Sequence, residues 1–189
     1  MYCTCHFLPI GYHVQAISFH LIATVLVFLV THKAFKNKPL AALTSLFFGL
    51  HPVHTEAITF TTASFDLLAS ILLLFSFYFY LLWNDKYKKY YYYSLVVAFL
   101  GFLAGELALT LPLLLLAYRF LVTKKVIDAK HLNYLGLYII YIAARIGLTG
   151  SFVGASQVAT GNIFVRILTM SKVLLRHIWI SIFPFDLNV

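Results

Sequence analysis

The sequence predicts an all-α, polytopic helical membrane protein, with room for roughly six or seven membrane segments at ~20 residues per span. Three observations predict it. Hydrophobic residues make up 62% of the 189 and charged residues 11%, against about 45–50% and about 25% in ordinary soluble domains. The mean hydropathy is +0.90, which describes more apolar surface than a soluble core of this length can hide. Nine lysines stand in three short clusters between apolar runs: Lys33, Lys36, Lys38; Lys86, Lys88, Lys89; and Lys124, Lys125, Lys130. Basic loops between spans mark the cytoplasmic side. That placement, rather than nucleic-acid binding, accounts for the formal charge of +8. Cys3 and Cys5 are the two cysteines; a metal or redox role needs partners that are not found, and they read as incidental thiols.

Segment A, Tyr12 to Val30, is apolar enough to span. No basic n-region precedes it, so it does not read as a signal peptide. Segment B, Leu40 to Leu50, follows Pro39 and is short for a crossing, so it needs flanking residues or a thinned bilayer. A polar island runs from His51 to Asp66. Segment C is Leu67 to Trp83; the charged loop Asn84 to Lys89 and an interfacial belt of Tyr90 to Tyr93 follow. Segment D runs to about Ala104, Gly105-Glu106 interrupts, and segment E runs from Leu107 to Val122. Segment F is Leu132 to Leu148, and a Gly/Ser/Thr-rich loop, Thr149 to Asn162, leads to segment G, Ile163 to Phe183. In segment G, Arg166, Thr169, Lys172 and Arg176 recur every three or four positions and share one helix face. Such a helix lies along the outer interface or spans with that face toward a cavity; the sequence leaves both placements open.

A consistent topology follows. If A runs from outside to inside, B and C form a hairpin with its tip, His51 to Asp66, outside. D and E form a second short-helix hairpin with Glu106 at its outer tip, and F returns outside. All three lysine clusters then fall inside. Outside is the cell exterior or periplasm for a prokaryotic cell membrane, and the lumen for a eukaryotic ER membrane.

Asp85 and Asp128 sit beside inner lysines and read as solvated loop charges. Glu56, Asp66, Glu106 and Asp186 map to the outer side, with His51, His54 and Arg145. Ionisable groups near membrane depth are expensive and face cavities, so this one-sided set points to an outward polar site. Pro52 can start a helix with His51 near its cap, which puts His51 and His54 one turn apart. The H-x-x-H-x-E spacing invites zinc, but Glu56 would point elsewhere on a helix and a fourth ligand is not identified. Bonding to backbone or headgroups, and binding an anionic group against a helix N-terminus, are the other readings. Asp66 serves as an N-cap or as a site carboxylate. Glu106, between two short apolar runs, must face water, a cation or a substrate. Arg145 either snorkels to the interface or holds phosphate.

These residues resemble a known family. His51-Pro-Val-His-Thr-Glu-Ala-Ile, with Asp66-Leu-Leu-Ala ten residues after Glu56, resembles the H-P-V-H-T-E-A-V … A-D-L-L-A signature of the transmembrane and tetratricopeptide-repeat (TMTC-like) proteins. Glu106-Leu-Ala-Leu-Thr-Leu-Pro-Leu-Leu-Leu-Leu-Ala-Tyr resembles their K-E-S-A-x-T-L-P-L-L-L-L-x-Y stretch. Gly11-Tyr-His with His20, and Leu175-Arg-His-Ile-Trp followed by Phe-Pro-Phe-Asp-Leu, are similar to two weaker family motifs. The sequence departs from the pattern at Ala16, at Ser64-Phe65 and at Gly105, where the family has Asn, an Arg before its Asp, and Lys.

The resemblance implies a GT-C-like membrane glycosyltransferase. Residues 1–189 then read as a single partial transmembrane domain, a piece truncated at both ends. The family's first span, its long acidic outer loop (the expected home of the general base) and its tetratricopeptide repeats are not read within it. The implied activity is transfer of a mannose-like sugar from a polyprenyl- or dolichyl-phosphate donor to protein Ser/Thr hydroxyls on the outer or lumenal face. Glu106, Asp66 and Glu56 would be its carboxylates; His51, His54, Arg145 and Arg176 would hold substrate. Membrane lipids, the lipid-linked sugar and an acceptor protein are the expected partners. No cofactor is expected, and the residues leave dependence on a divalent metal open. The alternative is a non-catalytic polyprenyl-phosphate-binding or vestigial module. A small transporter is the third reading, and it would need inverted repeats, which are not seen.

Overall fold

The computed structural model describes residues 9–59, 64–85, 88–124, 129–149 and 163–182. Every regular element among them is helical. Cys3, Cys5, Asp128, Asp186 and the loop after Thr149 lie outside the described residues, as do the side chains of Glu56, Asp85, Lys130 and Arg166.

Helix α1 (Pro9–Phe35) starts on a proline, whose missing N–H is harmless in a first turn, and ends with His32 and Lys33 against its negative pole. Lys36 then takes a left-handed conformation, and its N–H donates to the His32 carbonyl at 2.8 Å. Asn37 caps α2 (Lys38–Leu50) by accepting the Leu40 N–H through Oδ1 at 3.1 Å. A 3₁₀ turn, Pro52–His54, leads into the short α3 (Thr55–Thr59). Helices α4 (Ser64–Asp85) and α5 (Lys89–Ala104) form the central hairpin. Gly105 breaks the chain in extended conformation, and a 3₁₀ turn, Glu106–Thr110, reverses it into α6 (Leu111–Tyr118) and one π-helical turn, Arg119–Thr123. Helices α7 (Ala129–Thr149) and α8 (Ile163–Ile182) are the last described elements.

Segments A to G thus each contain a helix, and the interruption at Gly105-Glu106 is real. The helices run beyond several segments, because apolarity marks only the part of a helix away from its charged ends. Two of them, α1 and α4, are long and apolar enough to cross a membrane.

Helix α4 packs between α1 and α5; α2 lies on α1, and α7 on α5 and α6. Ala23 and Leu26 of α1 pack with Ile71, and Val30 joins the cluster of Leu73, Phe77 and Leu81, so α1 and α4 run the same way. Helices α4 and α5 are antiparallel, clasped where Ser76 Oγ donates to the Ser94 carbonyl at 2.8 Å and Ser94 Oγ to the Ser76 carbonyl at 2.7 Å. Helices α5 and α7 run in parallel: Asn133 Nδ2 donates to Tyr91 OH, Tyr134 OH to Ser94 Oγ, and the Tyr141 ring lies tilted against Phe102. These directions put the turns that hold Lys33–Lys38, Lys88–Lys89 and Lys124 at one end of the bundle. His51, the start of α4, Gly105 and the end of α7 point the other way.

The tyrosine belt divides. Tyr92 and Tyr93 are exposed, but Tyr91 is buried and bonded to Asn133. Four consecutive residues span most of a helical circumference, so they cannot share one face.

Candidate functional site

Two groups form at the end of the bundle opposite the lysine turns. The first is imidazole. His51 ends α2 in extended conformation, and its Nδ1 accepts the Val53 N–H at 3.2 Å, the capping role expected of it. That turn brings His54 back over α2. His54 lies 4.4 Å from the Phe48 ring, 5.2 Å from His20 and 6.3 Å from His51, centroid to centroid. His20 comes from the middle of α1, roughly 22 Å above Phe35 at ~1.5 Å rise per residue. Its Nε2 lies 3.1 Å from the Gly49 carbonyl. A carbonyl only accepts, so Nε2 donates to it, which leaves Nδ1 as the ring's other nitrogen. That Nδ1 is buried with no partner.

Gly49 makes this contact achievable: a Cβ there would stand 3.0 Å from Thr24 Cγ2 and 3.2 Å from its Oγ1. Burial pushes the His54 imidazole below the ordinary histidine value, and His20 and then His51 push it the same way. At neutral pH His54 is therefore an uncharged hydrogen-bonding group rather than a standing cation. Among the described residues, no three His, Cys, Asp or Glu are arranged to hold a metal ion.

The second group is ionic. Glu106 opens the turn after Gly105, and its Oε1 pairs with Arg145 Nη2 from the last part of α7. Tyr141, one turn back on α7, accepts from Arg145 Nη1 at 3.4 Å. Glu106 is 70% exposed and Arg145 23%, so the pair lies at the surface of the bundle. Asp66 stands on the other side of the break. Its helix begins at Ser64, so Asp66 lies within the first turn instead of capping it. Its Oδ1 would be 3.5 Å from a Cβ on Gly105, and the Ala69 Cβ would be 3.0 Å away. The absent side chain at Gly105 lets the α5–α6 turn close on α4 and brings Asp66 beside the Glu106 turn.

The structure thus joins Asp66, Glu106 and Arg145, and separately His51 and His54. Glu56 follows on α3, its side chain undescribed. Arg176 stands on α8, exposed.

Sequence reasoning passed over His20 as a site member. The available signal was an imidazole inside an otherwise apolar span. It also passed over a buried network near the lysine end, where Tyr80 OH meets His131 Nε2 at 2.5 Å and Tyr134, Ser94 and Ser76 are linked.

The described residues are thus all helical, with two helices long and apolar enough to span a membrane and a surface pair of carboxylate and guanidinium at a helix break. Comparison with curated proteins names its relatives. A stretch of 72 residues is 38% identical to protein O-mannosyl-transferase TMTC3 of Homo sapiens. A stretch of 73 residues is 38% identical to protein O-mannosyl-transferase TMTC1 of Homo sapiens, and 72 residues are 32% identical to protein O-mannosyl-transferase Tmtc1 of Drosophila melanogaster. Each match covers 38% of this chain and 8% of the relative. Over that stretch the chain is similar to proteins named as O-mannosyltransferases, and it spans less than a tenth of their length. No family model matches, and no solved structure gives a significant match.

Proposed function

We propose that this chain forms part of a membrane glycosyltransferase core of GT-C type. It would move a mannose-like sugar from a polyprenyl- or dolichyl-phosphate donor to Ser/Thr hydroxyls of an acceptor protein on the outer or lumenal face. The observation that carries the reading is the Glu106–Arg145 pair beside Asp66; the names of the relatives support the reaction class.

In this reading Glu106 takes the proton from the acceptor hydroxyl, in place of the outer-loop carboxylate that the family resemblance leads one to expect. The hydroxyl oxygen forms its bond to the anomeric carbon as the bond from that carbon to the phosphate oxygen breaks, and the electron pair leaves on the phosphate. The leaving phosphate stays an anion and needs no proton. Arg145 holds it through charge-assisted hydrogen bonds. Donor binding exchanges a carboxylate partner of Arg145 for a phosphate and frees Glu106 to accept the proton. Asp66, across Gly105, fixes the acceptor hydroxyl by hydrogen bonding. His51 and His54, with Glu56 on the next turn, line the approach as hydrogen-bonding groups for the sugar.

The test is a transfer assay on the full gene product in membranes, with a mannosyl-phosphate lipid donor and an acceptor protein. Glu106→Gln is expected to lower turnover at least ~100-fold, the lower end for a lost acid–base group. Arg145→Ala is expected to raise the KM for the donor. Unchanged turnover in Glu106→Gln removes Glu106 from the site.

A further inference from the structure

Helix α8 is divided lengthwise. At ~100° per residue, Phe164, Ile167, Leu168, Leu174, Leu175 and Trp179 fall on one half of its circumference, and each is more than half exposed. The strong bases fall on the other half, Lys172 and Arg176 with position 166, beside Thr169 and His177 and interleaved with Val165, Val173 and Ile180. Lys172 and Arg176 are one turn apart on the same strip and are exposed. No acidic residue occurs anywhere in the helix. Unlike α1 and α4, α8 is not among the helices fit to cross a membrane: any 18-residue stretch of it carries three strong bases, at positions 166, 172 and 176.

We propose that α8 lies flat in the membrane–water interface and binds anionic lipid headgroups. Its apolar half sits in the upper acyl region and its basic strip meets the phosphates.

Charge decides the occupant. A protein groove suited to the apolar half would offer nothing to the bases of the other half, and the helix holds no acidic residue of its own. A spanning placement would carry Lys172 and Arg176 through the hydrocarbon centre, where each base is costly. An anionic lipid surface satisfies both halves at once. Trp179 lies at the boundary between the halves, the position an amphipathic ring takes at an interface. The leaflet follows from α7, which ends at Thr149 on the side away from the lysine turns. This placement takes Arg176 from the donor phosphate and gives it to bulk headgroups. The inference rests on the membrane reading of the chain but not on the transferase reading.

Nitroxide labels on the whole chain test it. In a background with Cys3 and Cys5 replaced by serine, single cysteines would replace Phe164, Leu168, Leu175 and Lys172. Val14 and Val25, exposed positions of α1, serve as controls. The chain is reconstituted in phosphatidylcholine vesicles with or without phosphatidylglycerol, and depth is read from relaxation by oxygen and by a water-soluble nickel complex. Phe164, Leu168 and Leu175 are expected at one shallow depth, Lys172 in water, and the α1 controls at graded depths. Phosphatidylglycerol is expected to immobilise the α8 labels, and Lys172→Glu with Arg176→Glu to abolish that difference.

A steady depth gradient from Phe164 to Leu175 overturns the proposal in favour of spanning. Protection from both relaxants overturns it in favour of a protein partner. Loss of the gradient at Val14 and Val25 overturns the membrane reading itself, and the proposal with it, whatever α8 reports.

Discussion

His54 shows how one side chain links packing to pH. It is half-buried over Phe48, and burial leads His20 and His51 in holding its pKa below the usual histidine value. The folded chain therefore binds this proton less tightly than the unfolded chain. Stability rises with pH wherever the unfolded state holds more protons. The contribution of His54 is whole above the unfolded value of about 6.5. It falls as pH drops below that value and is gone once pH passes the lowered folded one. Thermal unfolding in detergent between about pH 5 and pH 8 should show melting temperature falling with acid, and His54→Gln should flatten that slope. An unchanged slope in the variant would assign the acid loss to other groups. The exposed Glu106–Arg145 pair behaves differently. Water screens it, so Glu106→Gln should leave the melting temperature nearly unchanged while it removes activity. The sequence marked His51, His54, Glu106 and Arg145 because charged and polar groups stand out against an apolar background. It could not show that Glu106 meets Arg145, since the contact joins residues 39 positions apart.

At the scale of the element, close approach between helices depends on small residues, because van der Waals packing carries much of helix association in lipid. Gly49 and Gly136 test this from opposite sides. A Cβ on Gly49 runs into Thr24, whose Oγ1 is already committed to the His20 carbonyl at 2.9 Å. Gly49→Val should lift the end of α2 off α1, break the contact from His20 to the Gly49 carbonyl, and cost about 1–3 kcal/mol as overpacking does. Nothing lies within 4 Å of a Cβ on Gly136, in the interior of α7. Gly136→Ala should be stabilising, by up to about 1 kcal/mol of helix propensity. Paired unfolding measurements check both signs, and equal effects would discount the packing argument. Helix placement itself was largely legible. Pro39, Pro52, Gly105 and the lysine clusters punctuate the chain, and each marks a real turn. Partner choice was not, because apolar period tells which face of a helix is covered and not what covers it. Ser76 and Ser94, Tyr80 and His131, and His20 and Gly49 are long-range pairs of this kind.

For the whole molecule, the directions of α1, α2, α4, α5 and α7 gather the described lysines of three separate turns at one end and put Glu106 with Arg145 at the other. The sequence had reached the same polarity by counting charges, and the two routes are independent: one uses loop composition, the other helix-to-helix contacts. The contacts support the common end, while the side that this end faces rests on the lysine rule. In a background with Cys3 and Cys5 replaced by serine, single cysteines at Lys36, Lys88 and Lys124 should react with an impermeant maleimide only from the cytoplasmic side of sealed membranes. Cysteines at the exposed positions Thr55 and Thr110 should react only from the outside. Reaction of the lysine positions from both sides would break the common-end arrangement. Reaction of all three from the outside would keep the bundle and reverse it. The second result bears directly on chemistry, because a lipid-phosphate sugar can be used only on the face where Glu106 and Arg145 open. Turned inward, the same pair would meet cytoplasmic donors, and the case for an outward-facing transferase would end there.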